Sequence, residues 1–405
     1  MGFLQDLRDR ILIHDGSKGY VLQMMGLEPG HSPEEWNLTH PGQVMKMHRE
    51  YVEAGCDVIQ TNTFTGNRIQ LSKHGLKEKT KEINRKAAML ARKAAGERVY
   101  VAGSVGPTGM LFEPMGEMSF DWACDIFKEQ VEALEDGGVD LINFETFMDI
   151  SEMRAAIIAA REVTNLPLVC SMAFEKNART LMGNTAFGAG LCMKALGADL
   201  VGANCSFGPE YMAPVMEELE RTGSYLSLKP NAGLPENIGG VTVYRQGPED
   251  FASSLQQSLR YNVRLVGGCC GTTPAFIHSI RQAAAAGVMR PAAAIGPHIT
   301  SATRVLSVDK AFNIGTIVLE KGKSIQDMLD EAYEMEGYDA IEIIHRGQDA
   351  CNLAEAVHVV MHVVRQPLIL SCHDREMLSS SLRIYNGIAG IRMNTCPDYG
   401  AVLLL

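Results

Sequence analysis

The feature that most constrains this chain is a rhythm. Short apolar runs alternate with longer amphipathic stretches, and each run ends in a small, polar or acidic cluster. The runs are ILIHD (11–15), DVIQTNTF (57–64), VYVAGSVG (99–106), DLINFETF (140–147), PLVCSMAF (167–174), DLVGANCS (199–206), YLSLKPNAG (225–233) and VRLVGGCCG (263–271). Helical patterns such as GQVMKMHREYVEAG and CDIFKEQVEALEDGG lie between them and close on Gly, as helix C-termini often do. Strand–helix alternation implies parallel strands joined by crossover helices. Eight such units in roughly 285 residues predict an α/β fold of the (β/α)8 TIM-barrel type, whose usual size is about 250 residues. An open doubly wound sheet shares this periodicity and is the alternative.

A stretch rich in Ala, Gly and Pro, GVMRPAAAIGPHIT (287–300), reads as a linker. The chain therefore divides into a barrel over residues 1–290 and a smaller C-terminal α/β domain over 301–405. In the second part FNIGTIVLE, DAIEIIHR, PLILSCH, IAGIRMN and AVLLL alternate with helical patterns. That is too short for a second full barrel and predicts half of one or a small open sheet. A last strand at AVLLL would leave an edge, to be covered by the first domain or by another subunit.

The formal net charge is −11 and no dense Lys/Arg block occurs, which argues against nucleic acid and anionic membrane as main partners. Asp6, Arg8, Asp9 and Arg10 interrupt the first apolar stretch, so it does not read as a signal peptide. No run approaches the roughly 18 apolar residues of a membrane helix. A cytoplasmic location is expected. In a reducing compartment the ten cysteines are mostly buried thiols, with metal or catalytic roles for a few.

Barrel closure would gather the polar ends of all eight strands around one mouth. Those ends carry Asp15, Gly16, Asn62, Thr63, Ser104, Glu145, Cys205, Asn231, Cys269 and Cys270. GGCCGTT (267–273) is the most informative of them. Adjacent residues of an extended strand face opposite ways, so two neighbouring cysteines bind one metal only if the backbone turns. Gly267, Gly268 and Gly271 permit that turn. Two unrelated buried thiols, or a vicinal disulfide, are the alternatives. Cys205, at the end of the sixth run, supplies a third thiol at the same mouth. Three thiolates with one open position form a catalytic zinc pattern, whereas structural sites usually close with a fourth protein ligand. Cys56, Cys124, Cys170 and Cys192 are the rival fourth ligands, and none stands at a strand end. Three thiolates more than cancel the charge of Zn²⁺, leaving a weak Lewis acid that suits a soft substrate thiol and keeps its sulfur nucleophilic.

The segments HDGSKGYVLQ, CDVIQTNTFTGN, GSVGPTG, FETFMDISEMRAAI, GANCSFGPE, KPNAGLP and GGCCGTTP closely resemble the zinc-dependent homocysteine S-methyltransferase family. They look most like the homocysteine-binding domain of cobalamin-dependent methionine synthases. The resemblance covers residues 11 to about 286 and implies a (β/α)8 barrel with Cys205, Cys269 and Cys270 as zinc ligands. It further implies that Asp15 and Glu145 hold the homocysteine amino group, with the backbone near Gly16 at its carboxylate. Asn62, Thr63, Ser104 and Asn231 are further candidates for substrate contact, and each has a loop-capping role as its alternative. The methyl donor implied is a corrinoid (cobalamin) on a partner protein. A sulfonium or betaine-type donor is the alternative, as is a non-catalytic zinc-stabilised docking subunit.

One segment departs from the family. Where Gly-Thr is common after the first strand, this chain has Gly19-Tyr20, preceded by Ser17-Lys18. A lysine and a tyrosine at that rim either bear on which methyl donor fits or face solvent without effect. GSVGPTG lacks the Gly-Lys-Ser/Thr ending of a phosphate loop. His358 and His362 are four apart on a helical pattern, but without a zincin Glu they read as core or surface histidines. The C-terminal third weakly resembles the start of a pterin-binding barrel, through GYDAIEI and PLILSCHDREMLSSSLRIY, and a docking or dimerisation role is expected of it at least as much as pterin binding.

Overall fold

The structure is a computed structural model and describes residues 2–238, 241–347, 351–392 and 401–403. Each of the eight apolar runs forms a strand, shorter than its run. In chain order these are β1 (Leu12–Ile13), β2 (Val58–Gln60), β3 (Tyr100–Val105), β4 (Leu141–Phe147), β5 (Leu168–Met172), β6 (Leu200–Asn204) and β7 (Tyr225–Lys229). A hairpin, β8 (Glu236–Ile238) and β9 (Val241–Val243), rises from the mouth before β10 (Val263–Val266) completes the set.

All eight barrel strands are parallel, in the order β1-β10-β7-β6-β5-β4-β3-β2. A parallel bridge between His14 and Val58 joins the two ends, so the sheet closes and the doubly wound alternative falls away. The period-2 pattern of each strand sends alternate side chains inward. At the base the inward layer is apolar: Leu12, Val58, Ala102, Leu141, Val169, Leu200 and Leu265 pack with Phe3 and Leu7 of the helix Phe3–Asp9, which plugs that end. Two residues further along the strands the layer turns polar, with Ser104, Asn143, Ser171 and Ser227, all fully buried. Above it stand Gln60, Glu145, Asn204 and Lys229. The outer faces of the strands pack under the helices in one large apolar core. The apolar floor keeps water from one end, and all chemistry is pushed to the other.

The segment read as a linker is pinned to the barrel. Ala293 N–H donates to the Gly223 carbonyl at 2.8 Å and Arg290 pairs with Glu220 at 2.6 Å. Its last residues are not irregular: β11 (His298–Thr300) pairs antiparallel with β12 (Val305–Ser307). Beyond it lies a five-stranded parallel sheet in sequential order, β13 (Ile314–Leu319), β14 (Ala340–His345), β15 (Leu368–Ser371), β16 (Gly390–Ile391) and β17 (Val402–Leu403). The last residues of IAGIRMN and of AVLLL lie outside the described residues. Helices Ile325–Tyr333, Leu353–Val363 and Arg375–Ile384 cover one face through Ile317, Ile343, Val357, Leu370 and Leu382. Arg154, on the barrel helix Ile150–Val163, fixes this sheet in place by donating to the carbonyls of Leu382, Arg383 and Gly387. Val402 packs near Phe187, Leu191 and Ile388. Among the described residues no helix is long and apolar enough to cross a membrane.

Candidate metal centre and thiol site

Two loops bring the three sulfurs together. After β6 the chain turns sharply, and Cys205 and Ser206 both adopt left-handed backbone conformations (φ 65° and 62°). Non-glycine residues held there cost of order 1–3 kcal/mol each, so surrounding contacts must over-determine the turn. Cys205 N–H donates to the Lys229 carbonyl at 3.0 Å and Phe207 N–H to the Cys205 carbonyl at 2.8 Å. After β10, Cys269 N–H donates to the Pro230 carbonyl at 2.8 Å and Cys270 N–H to Asn231 Oδ1 at 3.1 Å. The Thr272 hydroxyl donates to the Cys269 carbonyl at 2.7 Å. At Gly271 (φ 78°) a Cβ would sit 2.2 Å from the Tyr244 ring, so only glycine lets the cysteine loop pass beneath that tyrosine.

The Sγ atoms of Cys205, Cys269 and Cys270 all lie within 4.8 Å of one another, with 4.0 Å between Cys205 and Cys270. A tetrahedral zinc ion with Zn–S bonds of about 2.3 Å needs sulfurs about 3.8 Å apart. The three are free thiols, which removes the vicinal disulfide. Among the described residues no fourth Cys, His, Asp or Glu joins the group, and Cys56, Cys124, Cys170 and Cys192 are buried elsewhere. Hydrogen bonds from Cys269 and Cys270 hold the Cys205 thiol down at about 3, and the same contact with Cys205 pushes Cys269 up to about 12 and Cys270 further. The donor set fits a soft divalent ion: three sulfurs, preset near the right spacing, with one coordination position left by the protein.

The sulfurs line a cavity of about 470 Å³ at the barrel mouth. Its walls come from the loop after β1 (Gly16, Ser17, Lys18, Tyr20), the loop after β2 (Asn62, Thr63, Phe64), Gln60, Glu145 and Tyr244. Of the residues expected from the sequence, Gly16, Asn62, Thr63, Glu145, Cys205, Cys269 and Cys270 border this space, whereas Asp15, Ser104 and Asn231 stand behind it. Ser104 acts through Glu145, its hydroxyl donating to Oε1 at 2.5 Å. Asn231 acts through the Cys270 backbone. Asn62 and Thr63 spend their side chains on neighbouring backbone carbonyls, those of Pro33 and Ser104.

Asp15 and Glu145 each carry a lysine, whereas Glu34, also buried against the cavity, accepts from Ser32 and Thr65. Asp15, fully buried, contacts the Lys18 ammonium and the His14 ring, and accepts from Gln60 N–H at 3.0 Å. Burial alone would push the Asp15 carboxyl up, but Lys18 and His14 hold it well below the usual carboxylate range. Burial lowers the Lys18 ammonium despite Asp15. Lys18 is only 7% exposed, so it is a buried wall of the cavity and not a rim residue. Glu145 pairs with Lys229 at 2.6 Å, and Gln60 Nε2 donates to its other oxygen at 2.9 Å. Gln60 also accepts from Lys229 at 3.1 Å, which makes it the hub between the two pairs.

Gln60, Lys229 and Tyr244 escape a reading of the sequence. A lysine two residues before Asn231, inside an apolar strand, is the signal that was available for Lys229. Nothing in the chain marks Gln60 or Tyr244. His358 and His362 sit on one helix with the His362 ring against the His358 carbonyl at 2.6 Å, and neither joins a metal group among the described residues.

A family model described as homocysteine S-methyltransferase matches residues 12–284. Over 309 residues the chain is 32% identical to methionine synthase of Mycobacterium tuberculosis (strain ATCC 25618 / H37Rv), covering 71% of this chain and 26% of that protein. Over 303 residues it is 30% identical to methionine synthase of Mycobacterium leprae (strain TN), covering 70% and 25%. The chain thus spans about a quarter of the length of these relatives. Among solved structures, the metallated form of the homocysteine methyltransferase MmuM from Escherichia coli superposes with a TM-score of 0.60 at 24% identity, over 69% of this chain and 99% of that one. That likeness establishes the fold.

Proposed function

The chain belongs to the homocysteine S-methyltransferase family, and from that premise we propose that it transfers a methyl group to the thiol of homocysteine, giving methionine. The observation that carries this reading is the convergence of three cysteine sulfurs from two distant loops on one open cavity. Cys205, Cys269 and Cys270 would hold a zinc ion. When bound, zinc acidifies a substrate thiol at the fourth position and leaves its sulfur nucleophilic.

The protein's own residues do the rest. Glu145 receives the substrate ammonium, and its charge is kept in place by Lys229, Ser104 and Gln60. Asp15 acts from behind the wall by fixing Lys18. Asn231 and Thr272 hold the cysteine loop so that the sulfurs need not rearrange. Alignment of sulfur and methyl carbon is the main remaining source of rate.

The donor in this reading is a methylated corrinoid carried by a partner protein. Exposed apolar side chains surround the mouth: Phe64 after β2, Met148 after β4, Tyr211 after β6 and Leu234 after β7, each 37–53% exposed. Such a rim supports docking of a macromolecule over entry of a small polar donor. The region 1–290 carries the site, and 301–405 is assigned to docking. The test is methionine formation by the zinc-loaded chain from homocysteine, with methylated corrinoid, S-methylmethionine or betaine offered in turn. Methionine from the corrinoid supports the reading; methionine from none of the three contradicts it.

A further inference from the structure

Lys18 is a cation buried against the cavity that holds the three thiols. Its ammonium contacts Asp15, donates to the Gly16 carbonyl at 2.7 Å, and lies 5.5 Å from the centre of the Tyr51 ring. Asp15 has no exposed surface, and both of its oxygens are engaged, by Lys18 and His14 on one side and Gln60 N–H on the other. The loop after β1 therefore turns a positive charge toward a ligand. Glu145 lines the same cavity with a negative charge, paired with Lys229.

Asp15, Lys18, Glu145 and Lys229 balance one another, and Glu34, buried on the same cavity, adds a negative charge held by Ser32 and Thr65. A zwitterionic ligand leaves the total unchanged and meets Lys18 and Glu145 together. A ligand carrying only an ammonium leaves the Lys18 donor without a ligand partner, and one carrying only a carboxylate leaves Glu145 without one, each a cost in a buried space. An ammonium has three N–H donors. Asp15 and the Gly16 carbonyl take two of those on Lys18.

Resting on the thiol-site reading above, we infer that Lys18 is the receptor for the α-carboxylate of the thiol amino acid, with Glu145 receiving its ammonium. Lys18 is then a specificity-determining residue, and the site selects zwitterionic thiols over thiol acids and thiol amines.

The test is calorimetric titration of the zinc-loaded full chain with three thiols: L-homocysteine, 4-mercaptobutanoate, which lacks the amine, and 3-aminopropane-1-thiol, which lacks the carboxylate. The wild type is expected to bind homocysteine at least tenfold more tightly than either analogue. Lys18→Met should weaken homocysteine and 4-mercaptobutanoate tenfold or more and move 3-aminopropane-1-thiol less than twofold, with zinc content unchanged. Lys18→Arg should keep the preference. Equal weakening of all three thiols in Lys18→Met, or of none, overturns the assignment. Should Lys18→Met not fold, a wild type that binds 3-aminopropane-1-thiol as tightly as homocysteine overturns it alone. A wild type that binds none of the three thiols overturns the thiol-site reading itself.

Discussion

Glu145 of β4 and Lys229 of β7 form an ion pair of 2.6 Å inside the barrel mouth, their side chains 4% and 1% exposed. Removing one partner of such a pair leaves a buried charge without its counter-ion, a loss of about 3–5 kcal/mol where it has been measured. Lys229→Met should therefore destabilise the protein by about 3 kcal/mol. The double variant Glu145→Gln, Lys229→Met should recover part of that loss. Denaturant unfolding of the wild type, the two single variants and the double variant gives the answer, and an additive double variant would mean the pair is not coupled.

Cys205→Ser removes one of three sulfurs. Zinc binding to closed sites is worth about 10–16 kcal/mol over four ligands, so one ligand accounts for on the order of a hundredfold in affinity. Competition with a chromophoric chelator should show a loss of that order, with methyl transfer lost alongside it. Retained affinity would place the metal elsewhere.

Gly271 lies under Tyr244 in a left-handed conformation. Gly271→Ala should displace the Cys270 loop or the tyrosine and weaken zinc binding, while the barrel, whose strands end before this loop, keeps its circular-dichroism spectrum. Unaltered zinc affinity would show that the loop tolerates the shift.

Glu152 gives a pH dependence. It is buried beneath the Thr108 loop, and burial raises its carboxyl to about 7 against the hydrogen bonds from Thr108. The folded form holds this proton more tightly than the unfolded chain. Stability is therefore greatest below the unfolded value of 4.5 and falls as pH rises toward about 7. The loss amounts to about 3 kcal/mol. Glu152→Gln should flatten the wild-type decline between pH 5 and 7 in thermal or urea unfolding, and an identical slope in both proteins would contradict the assignment.

Eight strands, their parallel order and the three cysteines were legible because each rests on a local rule: period-2 burial, crossover helices, and thiols at strand ends. Barrel closure was not, since the His14–Val58 bridge depends on curvature that no window of sequence carries. Lys18 is the instructive case. A lysine after a strand reads as a rim residue, yet Asp15, three positions earlier, draws it inward. Lys229 and Glu145 are 84 residues apart and meet only when β4 and β7 share one barrel. Strand β11, which pairs antiparallel with β12, hides at the end of a stretch whose Ala, Gly and Pro content signals irregular chain.

In the proposed site three protein sulfurs leave one zinc position for a substrate thiol. X-ray absorption at the zinc edge, with and without homocysteine, tests it directly. Three sulfurs plus one lighter atom alone, becoming four sulfurs with homocysteine, is the predicted result. Four sulfurs in both states, or three in both, would contradict it.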